Sequence, residues 1–234
     1  MGSGGEFDPS LLRALADEAA TAEDAPRARE LYAALLQVLQ QVSGPNHPNT
    51  LDAQYKLANW TGMAGDAADA CAQMAALRTL IEGRYGPGDD DTLALRAHHA
   101  KWMWLAGDAA TALELYAKLL PVISAALGWE HSFVQEVRAE FAICSALTGD
   151  VTESRQQFSA LAPEAERVLG PEHLATLAAW YHLALMTEAA GNPVGAREQL
   201  AALLPVVKRV LGPRHPITHF VRSSLFRLDQ EFGR

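Results

Sequence analysis

Polar and apolar residues along this chain follow the 3.6-residue rhythm of amphipathic helices, and no stretch alternates residue by residue as a half-buried strand would. Glycine-containing breaks interrupt that rhythm at regular intervals. One series begins at Gly44, Gly86, Gly128, Gly170 and Gly212, with 42 residues between neighbours. The first of these breaks reads GPNHPNTL, and the others are near-copies of it. A second series with the same interval runs through Gly65-Asp66, Gly107-Asp108, Gly149-Asp150 and Gly191-Asn192, with Glu23-Asp24 as a degenerate member one interval earlier. Two interleaved series without insertions define a repeat, and periods of about 20–50 residues mark solenoids and other arrays.

Each repeat divides into two helices. In the second repeat the first helix is expected to open at Thr50 and to stop at Gly65, and its partner to open at Asp66 and to close at Gly86, where Pro87 blocks continuation. The expected N-caps of the second helices are Asp24, Asp66, Asp108, Asp150 and Asn192; those of the first helices are Thr50, Thr92, Thr176 and Thr218, with Val134 the exception. Small residues form a column in the first helices (Ala16, Ala58, Ala100, Ala142, Ala184) and another in the second (Ala28, Ala70, Ala112, Ser154, Ala196). One turn after the latter stand Tyr32, Met74, Tyr116, Phe158 and Leu200, so a large group sits beside a small one on the same face. His99 and the equivalent pair Trp60 and Trp102 fall on packing positions. A closing helix from Ile217 to about Phe232 is expected to pack through Phe220, Leu225 and Phe226 and to face water with Arg222, Arg227, Asp229, Gln230 and Glu231.

A small residue, a Gly-Asp turn, a second small residue and then an aromatic, at these separations, resembles the tetratricopeptide repeat (TPR). The 42-residue period and the GPxHPxTL linker are similar to its kinesin-light-chain-like subclass. The fourth copy departs most, with Trp129, Ser132 and Val134 in place of the usual Pro, Pro and Thr. The resemblance implies an all-α fold: an α-solenoid (TPR superhelix) of five helix pairs plus a C-terminal capping helix. The expected organisation is a leader segment at 1–7, whose MGSGGEF reads as a cloning leader, then a single array over 8–234. Its repeats fall at about 8–43, 50–85, 92–127, 134–169 and 176–211, with the cap at 217–232.

In such a stack the first helices line the inner, concave face, and helical spacing selects the side that points away from the packing columns. In the second repeat it holds Asp52, Tyr55, Lys56, Asn59, Gly62 and Met63; in the third, His98, Lys101, Trp104 and Leu105. The fourth gives Glu136, Glu140, Ile143 and Leu147, and the fifth Tyr181, His182, Leu185 and Glu188. Many are apolar or aromatic where a solvated face would be charged, and exposed apolar patches tend to mark interaction sites. The resemblance implies binding of peptides or partner proteins in this groove, as a non-catalytic part of a larger, bacterial-type signalling or regulatory protein. A subtype of the family grips a C-terminal carboxylate; Asn59 and Lys101 match it, but Tyr55, Ala97 and Ala139 leave that clamp incomplete. The expected partner is a protein or peptide segment, partly apolar or amphipathic. A homodimer burying the same surface is the alternative.

Composition narrows the remaining classes. There are 19 Lys and Arg against 28 Asp and Glu, a net charge of −9, which argues against nucleic-acid or anionic-membrane partners. Two cysteines, Cys71 and Cys144, make no disulfide framework and fit a reducing compartment, so a cytoplasmic location is expected. No run of about 18 apolar residues is present, and no membrane span is expected. Phosphate-binding, nucleophile-elbow and zinc-binding motifs are missing from the sequence, so neither enzyme activity nor a cofactor is expected. His47, His131, His173 and His215 form a column, but neighbouring helices pack about 8–10 Å apart and a metal needs ligands about 2.1 Å away, so these histidines are expected to be loop residues.

Overall fold

Five short side chains decide where the second helix of each pair begins. Asp24, Asp66, Asp108, Asp150 and Asn192 each accept a hydrogen bond from the backbone N–H three residues on, at 2.9–3.2 Å. Each bond satisfies one of the N–H groups that a helix start leaves unpaired. The computed structural model describes residues 8–232. Among them are eleven α-helices and no strand: α1 (Pro9–Thr21), α2 (Ala25–Val42), α3 (Pro48–Met63), α4 (Ala67–Tyr85), α5 (Asp90–Leu105), α6 (Ala109–Leu127), α7 (Ser132–Leu147), α8 (Val151–Leu169), α9 (Leu174–Ala189), α10 (Pro193–Val210) and α11 (Pro216–Phe232). In chain order they make five pairs and a last helix. The leader assigned to 1–7 lies outside the described residues.

The chain divides into two compact units, Met1–Leu115 and Tyr116–Arg234, with the boundary inside α6. In the first unit each helix from α1 to α5 packs on the next. In the second, each helix from α7 to α11 packs on the next, and α7 also touches α9. The small-residue columns are the closest-packed positions of both units. Ala16, Ala58, Ala100 and Ala142 are fully buried, as are Ala28, Ala70, Ala112, Ser154 and Ala196. The large residues one turn on are sealed equally well: Tyr32, Met74, Tyr116, Phe158 and Leu200 have essentially no exposed surface.

The caps of the first helices lie three residues earlier than expected, and threonine is not among them. The cap is His47, Asp89, His131 or His173, whose side chain accepts from the N–H two residues on at 3.1–3.2 Å; His215 Nδ1 does the same for Ile217. Pro48 and Pro216 take the first helical position, where no N–H is needed. The threonine two positions further on is buried instead. In two copies the hydroxyl turns back to the preceding segment, Thr50 donating to Gly44 O at 2.8 Å and Thr218 to Val207 O at 3.2 Å, whereas the buried hydroxyls of Thr92 and Thr176 have no hydrogen-bond partner. Imidazole is not among the usual capping groups, yet Asp89 in the same column shows the shared requirement, an acceptor three bonds from Cα. The unusual fourth linker keeps this design, with Gly128 at φ 84° and His131 as the cap. Trp129 is held by its neighbours there: its carbonyl accepts from Gln135 Nε2 at 2.5 Å, and the Arg138 guanidinium lies 5.6 Å above its ring.

Two expectations about apolar residues change. In α11, Val221 and Leu228 are buried, and Ile217 and Leu225 pack against that core. Phe220 and Phe226 are instead 50% and 65% exposed. Val221, Leu225 and Leu228 share one helical stripe, whereas Phe226 occupies the register of the alanine column, and no described helix follows to cover it. The second change concerns α6, which among the described helices is long and apolar enough by length and composition to cross a membrane. It carries Glu114, Lys118 and Pro121, and its buried residues Ala112, Tyr116, Leu119 and Ile123 recur at the spacing of a core-facing stripe.

Gly65, Gly107, Gly149 and Gly191 turn the chain with φ between 87° and 105°, and at the equivalent place Glu23 adopts φ 56°. A side chain with a Cβ is strained there, so Glu23→Gly is expected to raise unfolding free energy by up to about 1 kcal/mol, less the greater freedom of an unfolded glycine, in urea titration. His173→Ala is expected to lower stability by about 1 kcal/mol and His173→Asp to restore most of it, because the aspartate supplies the same acceptor.

Candidate functional site

Helical spacing brings Asp52, Tyr55, Lys56 and Asn59 of α3 to one side of the first unit. The adjoining first helix, α1, supplies the charges that fix them. Arg13 Nη1 lies 2.6 Å from Asp52 Oδ2, and Lys56 Nζ lies 3.2 Å from Asp17 Oδ1 and 3.9 Å from Asp52 Oδ2. Lys56 also sits 5.5 Å above the Tyr32 ring. The Tyr32 hydroxyl donates to Asp17, and that bond is the main reason the Asp17 carboxyl is held below its usual range, with Lys56 adding to it. Burial first, then the same bond, pushes the Tyr32 phenol up. Arg13 and Asp17 occupy the repeat positions of Tyr55 and Asn59. The 42-residue register therefore places them on this face as the first repeat's contribution.

Asn59 is committed inside the protein. Its Oδ1 accepts from Trp102 Nε1 at 2.9 Å and its Nδ2 donates to the Tyr55 hydroxyl at 3.3 Å. The Trp102 ring lies on Gly62, where an added Cβ would come within 2.2 Å of it, so Gly62 is buried under α5 rather than open on the face. Tyr55 meets His98 edge-on, centroids 5.4 Å apart, and His98 Nδ1 lies 2.7 Å from Ala94 O. Lys101 and Trp104 are partly buried, while Met63 and Leu105 are 62% and 41% exposed. Between α3, α4 and α5 opens a cleft of about 460 Å³. Its floor is Leu51, Leu77, Ile81 and Leu95; Tyr55 and Tyr85 stand as walls, and Asp52 and Asp91 lie on its edge.

The second unit arranges its share of the face differently. Glu136 is exposed, Glu140 and Leu185 are partly buried, and Leu147 is 57% exposed. Ile143 packs against the core around Phe158. His182 belongs to that core more than to the face: its ring stacks on Phe158 at 5.2 Å and 13°, and burial pushes its imidazole down to about 4. Tyr181 stacks on Phe220 of α11, 6.4 Å and 15° apart. Glu188 holds Arg227 of α11 at 2.6 Å. Among the described residues no three His, Cys, Asp or Glu side chains converge as a metal site would require. The column histidines spend their Nδ1 atoms on helix caps.

A scan against protein-family models finds no match, and neither does a comparison with curated proteins. Solved structures match the fold well. The TPR-like repeats of a kinesin-light-chain protein from Podosopora anserina superpose with a TM-score of 0.70 at 21% identity, covering 86% of this chain and 96% of that one. A Signal Transduction ATPase with Numerous Domains from Pyrococcus horikoshii, described as having a tetratricopeptide repeat sensor, gives 0.65 at 12% identity, over 97% of this chain and 34% of that one. YrrB, described as a TPR protein with an unusual peptide-binding site, gives 0.51 at 16% identity, over 94% of each chain. The fold is that of the tetratricopeptide repeat, an all-α solenoid of helix pairs.

His182 gives the core around Phe158 a measurable pH signature. Its folded value near 4 lies below the ordinary 6.5, so it favours the folded state above about pH 6.5, and that contribution is lost as pH falls toward 4. Urea midpoints at pH 7, 5.5 and 4.5 are expected to fall less steeply in His182→Phe than in the wild type, since phenylalanine keeps the stack on Phe158 and removes the titration.

Proposed function

We propose that the first-helix faces bind a protein or peptide segment of partly apolar or amphipathic character, without catalysing a reaction on it. The observation that carries this reading is made in each unit by itself: an exposed apolar residue closes the first helices α3 and α5 of the first unit and α7 of the second. Met63, Leu105 and Leu147 are one repeat apart and 62%, 41% and 57% exposed. The repeats leave much of these side chains uncovered, and large apolar groups recurring at one register are what a partner would cover. The peptide-binding site named for YrrB, a protein of the same fold, supports the reading by analogy. The sensor role named for the repeats of the Pyrococcus horikoshii ATPase supports a place within a larger signalling or regulatory protein. Cys71 and Cys144 are both unpaired, which accords with the reducing cytoplasm. Self-association is the second reading, favoured by α11, which exposes Phe220, Phe226 and Phe232.

Panning a random heptapeptide library displayed on phage against the purified chain tests the proposal. Trp104→Ala and the pair Met63→Ser with Leu105→Ser are expected to weaken an enriched peptide by about tenfold or more. Unchanged affinity in these variants would reject the face. Light scattering across concentration reads the second possibility: a mass that doubles with concentration favours the dimer, and a constant monomer mass removes it.

A further inference from the structure

The repeat register relates a stacked aromatic pair in the second unit to an open cleft in the first. The floor of the α3–α4–α5 cleft, Leu51, Leu77, Ile81 and Leu95, is repeated three intervals later as Leu177, Leu203, Val207 and Val221 in α9, α10 and α11. Tyr55 on its wall is repeated as Tyr181. Position 94 is where the two places differ. The first has Ala94; the second has Phe220, whose ring stacks on Tyr181 at 6.4 Å and 15°. An aromatic ring from within the chain thus lies against the tyrosine in one copy, while alanine leaves about 460 Å³ open beside the tyrosine in the other.

The edges differ in charge as well. Where the second unit has Ala178 and Ile217, the first has Asp52 and Asp91. Asp52 is already paired with Arg13 and Lys56. Asp91 stands in the first turn of α5, where a carboxylate also complements the helix dipole, and it follows Asp89 and Asp90. We propose that this cleft docks an aromatic side chain of a peptide partner, stacked on Tyr55 as Phe220 is on Tyr181, with a neighbouring lysine or arginine of the peptide placed against Asp91. The apolar floor rewards burial of the ring, and the acidic edge selects the sign of the flanking charge. The proposal rests on the reading that the first-helix faces bind peptides, and it names the chemistry of the peptide.

Ala94→Phe introduces into the cleft the residue that the last helix carries at the same register. The test pans the random heptapeptide library against the wild-type chain and measures an enriched peptide by fluorescence anisotropy on wild type, Ala94→Phe, Asp91→Asn and Trp104→Ala. The expected result is enrichment of sequences with an aromatic residue beside Lys or Arg. Ala94→Phe should weaken them about tenfold or more, and Asp91→Asn should weaken Lys- or Arg-containing peptides more than versions with that residue replaced by Gln. Should Ala94→Phe lose its cooperative thermal melt, Ala94→Leu narrows the cleft with less bulk and is read the same way. Enriched peptides lacking the aromatic–basic pair, or indifferent to the substitutions at 94 but weakened by Trp104→Ala, overturn the cleft and leave the face standing. If no peptide is enriched, both readings fall.

Discussion

Close approach of helices over alanine constrains everything else in this molecule. In every pair a first-helix alanine and a second-helix alanine or serine lie at positions with almost no exposed surface, and a large side chain one turn away fills the space beside them. A methyl group is about the largest side chain that such a crossing accepts, and further carbons in a packed contact cost about 1–3 kcal/mol. One residue inserted in a helix would rotate the remainder by about 100° and carry the column out of the contact. The 42-residue interval is therefore held without insertions through the chain, and each break between helices has to start the next helix on register.

That demand explains the polar punctuation. A helix whose first turn must stand at a set phase needs an acceptor at a set place. Aspartate or asparagine supplies it for the second helices and histidine or aspartate for the first. The former was legible because Asp and Asn are common caps and follow a turn glycine. The latter was not, because imidazole seldom plays the part and because Thr50, a good capping residue by type, stands two positions inside the helix. Its hydroxyl reaches back to Gly44 O and joins the linker to the helix it introduces. GPNHPNTL thus contains a glycine at φ 87°, a cap, a first-turn proline and a buried hydroxyl anchor within eight residues.

The face was legible in outline and illegible in its commitments. Spacing alone put Asp52, Tyr55, Lys56, Met63 and Leu105 on one side of their helices. It did not reveal that Asn59 is engaged by Trp102 and Tyr55, that Gly62 lies under the Trp102 ring, or that His182 is stacked on Phe158. These outcomes depend on which residue the neighbouring helix brings to the contact, a pairwise fact that a period cannot contain. The charge network around Asp17 follows the same rule: the register places Arg13 and Asp17 of α1 beside α3, but their pairing with Asp52 and Lys56 depends on the residues that meet there. The aromatic residues of α11 show the converse error: Phe220 and Phe226 fit a packing role by type, but Phe220 lies against Tyr181 outside the buried stripe, and Phe226, in the alanine register, has no described helix after it to cover it.

The internal charge network also shapes what the face can recognise. Lys56 is neutralised by Asp17 and Asp52, and Arg13 by Asp52, so those charges are largely spent within the first unit. Among the described residues no ion pair engages the Asp91 carboxylate at the cleft, and the chain as a whole carries a charge of −9. A cationic segment is attracted at long range by the second feature and oriented at short range by the first. Positions such as 52, 91 and 94 lie outside the alanine crossings, so they can change between repeats while the stack stays closed: Asp52 against Ala178, Asp91 against Ile217, Ala94 against Phe220. The same backbone is thereby able to hold an aromatic ring of its own in one repeat and to leave room for a foreign one in another.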